Sequence, residues 1–329
     1  MIILHLVMSN DFAGIEQHVN ELALMQMEND DVHIISTNKI SHQFNQNLNI
    51  ISINNFGRRS FLNIYKLFKL IKKINPHIIH THGSKTTQIT KIIKSRLNAK
   101  YACTIHGVKS NTNIYEHADI IFGVSERTIK PIKKDALVIH NWWNPIYKEL
   151  SKVEKRIPKF AIAVGRLEKV KGFDLLIKSW KGIDSKLLII GSGAERDSLT
   201  KLIKDLNLSH KIEIIDQVTS DDLITYYSQA SVLIVSSLRE GGPRVALEAF
   251  YMKIPVISTD VGHMNKILPK EFLAEPNNQS ALRKLIVKYV NKMHLFDQSS
   301  IFQYVSEEFS IENQAKKIIK AYKEALSKS

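Results

Sequence analysis

SSLREGGPRVALEAFYMKIPVIST, residues 236–259, reads as a strand end, a glycine-bearing turn, a helix and a further strand. The first strand closes near Ser236 and the loop carries Glu240-Gly241-Gly242-Pro243. Pro243 suits the first turn of the helix, where a missing amide has no intrahelical partner anyway. The two glycines let a ligand approach the backbone closely. Amides of the turn near Gly242 and Arg244 combine with the helix dipole into a seat for phosphate. Glu240 stands on the loop and Glu248 roughly one to two turns into the helix, so the two carboxylates are placed to meet different hydroxyls of one extended ligand. The plainer reading is a strand–turn–helix unit with solvated glutamates, and spacing alone leaves both open.

The same alternation extends outward. Upstream, VGRLEKVKGFDLLIKSW (164–180) puts Arg166 just past a strand end and Lys171 before the glycine that opens a helix. A forked guanidinium and a point-charge ammonium at one strand end suit a diphosphate, although such pairs are commonly just solvated. KLLIIG, IEIID, SVLIVS and PVISTD are further strands, with helices between them. An earlier series runs IILHLVM, VHIIST, HIIHTH, YACTIHG and IIFGVS, again with helical stretches such as Ile15–Met27, about Ser60–Ile74 and Thr86–Leu97. Strands alternating with helices predict parallel, doubly wound sheets. The charged, broken stretch Lys148–Lys159 separates the series, which gives two domains, 1–150 and 151–305. A last helix within 306–329 carries Ile311, Ala315, Ile318, Ile319 and Tyr322 on one stripe and is expected to pack back on the first domain. Ligands of such sheets sit beyond the carboxyl ends of the strands.

Composition narrows the classes. The 329 residues are 44% hydrophobic and 24% charged, which suits a globular protein of about two domains. One cysteine, Cys103, excludes an intrachain disulfide framework and multi-cysteine metal sites. The apolar opening Met1–Met8 is broken by His5, is too short for a membrane span and lacks a basic leader, so a cytoplasmic location is expected. The net charge is +14, and from Val32 to Tyr115 there are 13 Lys and Arg with no acid at all. Such a one-signed field attracts phosphates. Its most individual piece is RRSFLNIYKLFKLIKK (58–73), where Phe61, Ile64, Tyr65, Phe68 and Ile71 or Leu67 face one way. Arg58, Arg59, Lys66, Lys69, Lys72 and Lys73 crowd the rest. It reads either as a helix lying on an anionic membrane or as a half-buried helix with snorkelling lysines.

Other features point away from cofactors. His77, His80 and His82 suggest a metal only weakly, with no carboxylate or cysteine near them in sequence; His80 and His82 share a strand face. No Asp-x-Asp pair occurs, so no metal is expected. GSGAERDSL lacks the third glycine of a dinucleotide fingerprint, and no cofactor is expected. No nucleic-acid-reading motif is present, so no nucleic-acid partner is expected.

Taken together, the two stretches resemble the retaining glycosyltransferases of GT-B fold, in particular glycosyltransferase family 4. Glu240 and Glu248 match that family's glutamate–seven residues–glutamate motif, and Arg166 and Lys171 its diphosphate site. AGIEQH, PHIIHTHG, TIHG, VIHN, IIGSG and PVISTDVG follow in family order. The resemblance implies two Rossmann-like domains facing a central cleft, the donor in the second and the acceptor in the first. It implies that Glu240, with Gly241 and Gly242, binds the transferred sugar, that Glu248 holds the ribose, and that Arg166 and Lys171 stabilise the leaving diphosphate. Gly14 would let the amino-terminal loop close on the phosphates, Gln217 and Val218 would abut the base, and His106 would position the donor sugar. Two departures stand out: Ala13 replaces the first glycine of the usual pair, and Asn141-Trp142-Trp143-Asn144 stands where the family usually has Asn-Gly-Val-Asp. The tryptophans either stack on a sugar or fill an interface.

The activity this implies is metal-independent transfer of a hexose or acetamidohexose, with retention, from a nucleoside diphosphate sugar (UDP foremost). The acceptor would be a hydroxyl in surface polysaccharide, lipopolysaccharide or lipid-linked glycan synthesis, at the inner membrane face. A nucleotide-sugar epimerase on the same fold and a catalytically silent nucleotide-sugar-binding subunit are the alternatives.

Overall fold

The computed structural model describes residues 1–150, 160–292 and 297–328. Most of the expected linker, Lys148–Lys159, therefore lies outside the described residues. The chain divides into two units: Met1–Asn141 together with the helix Ile311–Ser327, and Trp142–Ser310.

The strands of the first unit are β1 (Ile2–Val7), β2 (Asp31–Thr37), β3 (Asn49–Ile53), β4 (Ile78–His82), β5 (Lys100–Ile105), β6 (Ile120–Gly123) and β7 (Leu137–Val138). They pair in the order β3-β2-β1-β4-β5-β6-β7, every pair parallel. The second unit has β8 (Phe160–Val164), β9 (Leu187–Ile190), β10 (Ile212–Ile215), β11 (Ala230–Val235), β12 (Val256–Thr259) and β13 (Leu273–Ala274), ordered β10-β9-β8-β11-β12-β13 and also parallel. Inner strands such as β4 and β9 are buried along their whole length. That explains their near-continuous apolar runs, since parallel sheets are covered on both faces. In each sheet the strand order reverses between the first strand and the fourth: β1 beside β4, β8 beside β11. Crevices for ligands open at such reversals.

Aromatic contacts pack the start of the second unit onto its core. The Trp143 ring stacks on Tyr251 at 3.9 Å and 14°, Tyr147 meets Tyr227 edge-on, and the Trp143 amide donates to the Phe309 carbonyl. These contacts lie within the second compact unit, Trp142–Ser310. Both tryptophans are buried, which makes Trp143 a packing residue and not a sugar platform. The last helix buries Ile311, Gln314, Ala315, Ile318, Ala321 and Tyr322, while Ile319 sits at the edge of that stripe.

The basic helix, Phe61–Ile74, departs from the expected face. Ile64, Leu67 and Ile71, at i, i+3 and i+7, form its buried stripe, and Phe68 packs partly against the same core. Phe61 is 79% and Tyr65 54% exposed, on the solvent side beside Leu62 at 78%. Each residue advances 100° around a helix, so an apolar stripe read one position off carries its flanking aromatics to the wrong side. Ile71→Ala is expected to cost about 2–5 kcal/mol, and Phe61→Ala to stay within about 0.5 kcal/mol. Urea unfolding of the two variants checks this, and equal losses would contradict the assignment of faces.

Candidate active site

The expected donor residues of the second unit gather at the carboxyl ends of neighbouring strands. After β8 the chain passes Arg166, turns through a short 3-10 segment, Lys169–Lys171, and enters the helix Phe173–Ser179 at Gly172. After β11 it runs through Ser236–Pro243 into the helix Arg244–Tyr251. Because β8 and β11 pair directly, these two loops lie side by side. They are stitched together. Ser236 Oγ donates to the Lys171 carbonyl at 2.9 Å, and the Leu238 amide to the Val170 carbonyl at 2.8 Å. Gly172 has φ +63°, and a Cβ there would lie 2.3 Å from the Ser236 carbonyl oxygen, so only glycine fits this close crossing.

Lys171 and Glu240 meet across that seam. Nζ lies 2.5 Å from Glu240 Oε1, and the two side chains are only 19% and 16% exposed. Ser237 Oγ donates to the same carboxylate oxygen at 2.8 Å. Glu240 is thus oriented by an ammonium and a hydroxyl that share its Oε1. Arg166 stands at the same edge but points outward, 65% exposed, and pairs with Glu168 at 2.8 Å. Gly241 and Gly242 are buried behind Glu240, pressed against Gly262, whose added Cβ would meet the Gly241 carbonyl at 2.9 Å. Pro243 is the cap residue, extended at φ −69° and ψ 107°, and the helix begins one residue later than expected. Pro243 therefore supplies no capping side chain.

Glu248 lies on the helix that follows this loop. It is buried in the helix, where it accepts a hydrogen bond from Tyr227 Oη at 3.3 Å. Burial and the neighbouring Glu248 charge push the Tyr227 phenol well up, so it remains a donor. Along the other side of the edge, Gln217 is exposed after β10, and its Oε1 accepts from Ser192 Oγ at 3.1 Å. Ser192 follows β9, and its carbonyl in turn accepts the Leu167 amide at 2.8 Å. A line of loops after β10, β9, β8 and β11 thus joins Gln217 to Glu240. Val218 is half-buried against the core.

The first unit holds Gly14 and His106. Gly14 opens the helix Gly14–Gln26 with nothing within 4 Å of where a Cβ would stand. His106 follows β5 and is half-buried. It belongs to a group that sequence reading did not assemble. His5 on β1, His80 and His82 on β4, His18 on the first helix and His106 lie together at the β1/β4 reversal. His77 is not among them; its Nδ1 accepts the Ile2 amide at the surface. The signal was present in the sheet register, which sets His5 opposite His80, but register follows from strand order and not from spacing along the chain. Ligand atoms of His5, His80 and His82, and those of His18, His82 and His106, lie within 4.8 Å of one another. His5, His80 and His82 nevertheless use both ring nitrogens in hydrogen bonds. Burial is the main cause that holds His5 down to about 4 and His106 to about 3, with His80 and His82 also well below the ordinary imidazole range. Burial thus favours the neutral form of His5, His80, His82 and His106.

Each unit matches a known family. Residues 7–123 match the family described as Glycosyl transferase 4-like, and residues 148–300 the family described as Glycosyl transferases group 1. An uncharacterized glycosyltransferase of Methanocaldococcus jannaschii is 32% identical over 227 residues, 67% of this chain and 60% of that relative. The capsular polysaccharide biosynthesis glycosyltransferase CapM of Staphylococcus aureus is 32% identical over 137 residues, 39% of this chain and 36% of that one. Neither relative is matched over two thirds of its length. Anabaena HepE, solved in complex with UDP and glucose, shares the fold with a TM-score of 0.83 at 15% identity, over 98% of this chain and 100% of that one. With a glycosyltransferase domain matched in each unit and two parallel α/β sheets of the same design, the chain belongs to the glycosyltransferases of GT-B fold.

Proposed function

We propose that the chain transfers a hexose or acetamidohexose from a nucleoside diphosphate sugar, UDP foremost, to a glycan or glycolipid hydroxyl with retention of configuration and without a metal ion. The observation that carries this reading is the Lys171–Glu240 pair at the strand-order reversal of the second unit. An ammonium has three N–H donors. One meets Glu240, and the others are available to diphosphate oxygens, where Arg166 adds a forked donor from the same strand end. These cations stabilise the charge that develops on the departing nucleotide. Glu240 receives sugar hydroxyls, Glu248 the ribose, and Gln217 with Val218 the base. Gly241 and Gly242 let the sugar approach the backbone, and the space at Gly14 accommodates closure on the phosphates.

Glu240 is a poor nucleophile while Lys171 and Ser237 share its Oε1. The acceptor oxygen therefore attacks the anomeric carbon on the face that the diphosphate leaves. The bond to the diphosphate breaks, and the acceptor proton passes to a leaving phosphate oxygen. His106, neutral and a weak base, orients a sugar hydroxyl and takes no proton. The first unit takes the acceptor. The relative named for capsular polysaccharide synthesis supports a surface polysaccharide, lipopolysaccharide or lipid-linked glycan as the product.

A basic, aromatic helix surface supports work at the inner face of a membrane. Phe61, Leu62 and Tyr65 are exposed among Arg58, Arg59, Lys66, Lys69, Lys72 and Lys73, all of them also exposed. Apolar side chains enter the headgroup boundary while the cations meet acidic lipid. Among the described residues no helix is long and apolar enough to cross a membrane.

Two measurements test this reading. UDP at about 100 times its Kd should stabilise the protein by about 2.7 kcal/mol in a thermal-shift assay. Lys171→Ala and Glu240→Ala should fold but lose most of that shift together with transfer; full activity in both would overturn the site. An inverted product linkage would overturn retention, and donor turnover without an acceptor would favour an epimerase. The protein should also sediment with vesicles of acidic phospholipid and release at high salt, and a Phe61→Ala, Leu62→Ala double variant should bind less. Equal sedimentation with neutral vesicles, or none with either, would contradict the membrane assignment.

A further inference from the structure

Two sets of three histidine nitrogens lie within 4.8 Å of one another at the β1/β4 reversal, and their surroundings differ. In the set His5, His80 and His82, His80 is held by Tyr322 Oη at 2.6 Å and Thr104 Oγ1 at 2.7 Å, and His5 Nε2 lies 2.7 Å from the Gln26 side chain. In the set His18, His82 and His106, imidazole meets imidazole: His82 Nδ1 lies 3.2 Å from His106 Nε2. The His18 and His106 rings stand edge-on, 4.8 Å apart at 85°, and those of His18 and His82 are 5.8 Å apart at 56°. His18 comes from the first helix, His82 from the end of β4 and His106 from the loop after β5, so three elements converge.

We propose that His18, His82 and His106 form a Zn²⁺ site, with His82 Nδ1 and His106 Nε2 as two of the ligands and water in the fourth position. Nitrogens bound to one tetrahedral Zn²⁺ at about 2.0–2.1 Å stand about 3.3 Å apart. The His82–His106 separation is already 3.2 Å. The His18 nitrogen is within 4.8 Å of both, so it has at most about 1.5 Å to close. The ion takes the place of the hydrogen bond between His82 and His106. Three imidazoles and a water are the ligand set of an open zinc site. His106 is half-buried, so its side of the site is the one that solvent reaches.

A metal-bound imidazole carries its proton on the other nitrogen, where an acceptor fixes the ring. His82 Nε2 has such a partner, His5 Nδ1 at 3.0 Å. Burial favours the neutral forms of His82 and His106, the forms that bind a metal. Glu21 is buried on the first helix three residues after His18. That spacing puts it on the same face, about 5–6 Å away between Cβ atoms, where its carboxylate offsets part of a cation's charge. Lys109 beside His106 acts in the opposite sense. The site therefore selects by ligand bonds more than by charge. Imidazole suits Zn²⁺, whereas Mg²⁺ and Ca²⁺ take oxygen ligands. The ion has no part in sugar transfer; it ties the first helix to the ends of β4 and β5.

Titration of Zn²⁺ into the untagged, chelator-treated full chain tests this, with X-ray absorption at the zinc edge reading the ligands. One tightly held Zn²⁺ per chain, with three imidazole nitrogens at about 2.0–2.1 Å, is expected, and excess Mg²⁺ should not displace it. His5→Phe removes the outer partner of His82 and should weaken Zn²⁺ binding about 10–100-fold. His18→Gln and His106→Gln each remove a ligand and should weaken it further. His77→Gln, outside the cluster, should bind as the unaltered chain does. No tightly bound Zn²⁺, fewer than three imidazole ligands, or an unchanged affinity in a folded His18→Gln protein would overturn the proposal. Should the variants fail to fold, the metal count and ligand set of the unaltered chain still decide. Sugar transfer is assayed in the chelator-treated chain, so the proposed activity and the zinc site fail separately.

Discussion

The adjacency of β8 and β11 governs the second unit. Lys171 and Glu240 are 69 residues apart in the chain and meet only because a parallel sheet places these two strands side by side. Withdrawing two charges from water is costly, and their attraction repays that cost only with good geometry and further hydrogen bonds. The geometry is supplied by backbone: the Gly172 crossing, the Ser236 bond to the Lys171 carbonyl, and Ser237 on the carboxylate. The pair keeps an open side toward solvent. A cation and an anion held at the lip of a strand-order reversal suit a ligand with both phosphate and hydroxyl groups better than they suit stability alone.

The first unit uses the same topology for different chemistry. At its reversal the side chains are imidazoles, and burial keeps them uncharged within a segment otherwise rich in lysine and arginine. Neutral rings offer what a fixed cation cannot, one nitrogen that donates and one that accepts. Tyr322 of the last helix closes on His80 from the same unit, which ties a segment distant in sequence into that polar cluster.

Much of this was legible along the chain. The alternation of apolar runs with amphipathic stretches gave both sheets, and the strand-end positions of Arg166, Lys171 and Glu240 followed from the glycines and helix starts around them. What pairing decides was hidden. The edge strand Asn49–Ile53 is short and partly polar and carries little pattern. The union of His5 and His18 with the later histidines needs the order of strands, not their spacing. The aromatics of the basic helix were rotated to the wrong side because Phe61 and Tyr65 continue an apolar repeat that the core does not use. Asn141-Trp142-Trp143-Asn144 gave no hint that Trp143 would stack on Tyr251, a contact made across about a hundred residues of chain.

A crystal structure of the full chain grown with UDP tests the central claim most directly. Diphosphate oxygens within hydrogen-bond distance of Lys171 Nζ, with Glu240 still flanking the ammonium and the uracil beside Gln217, are the result this account requires. A diphosphate seated away from the β8 and β11 strand ends, with the Lys171–Glu240 pair untouched, would contradict it.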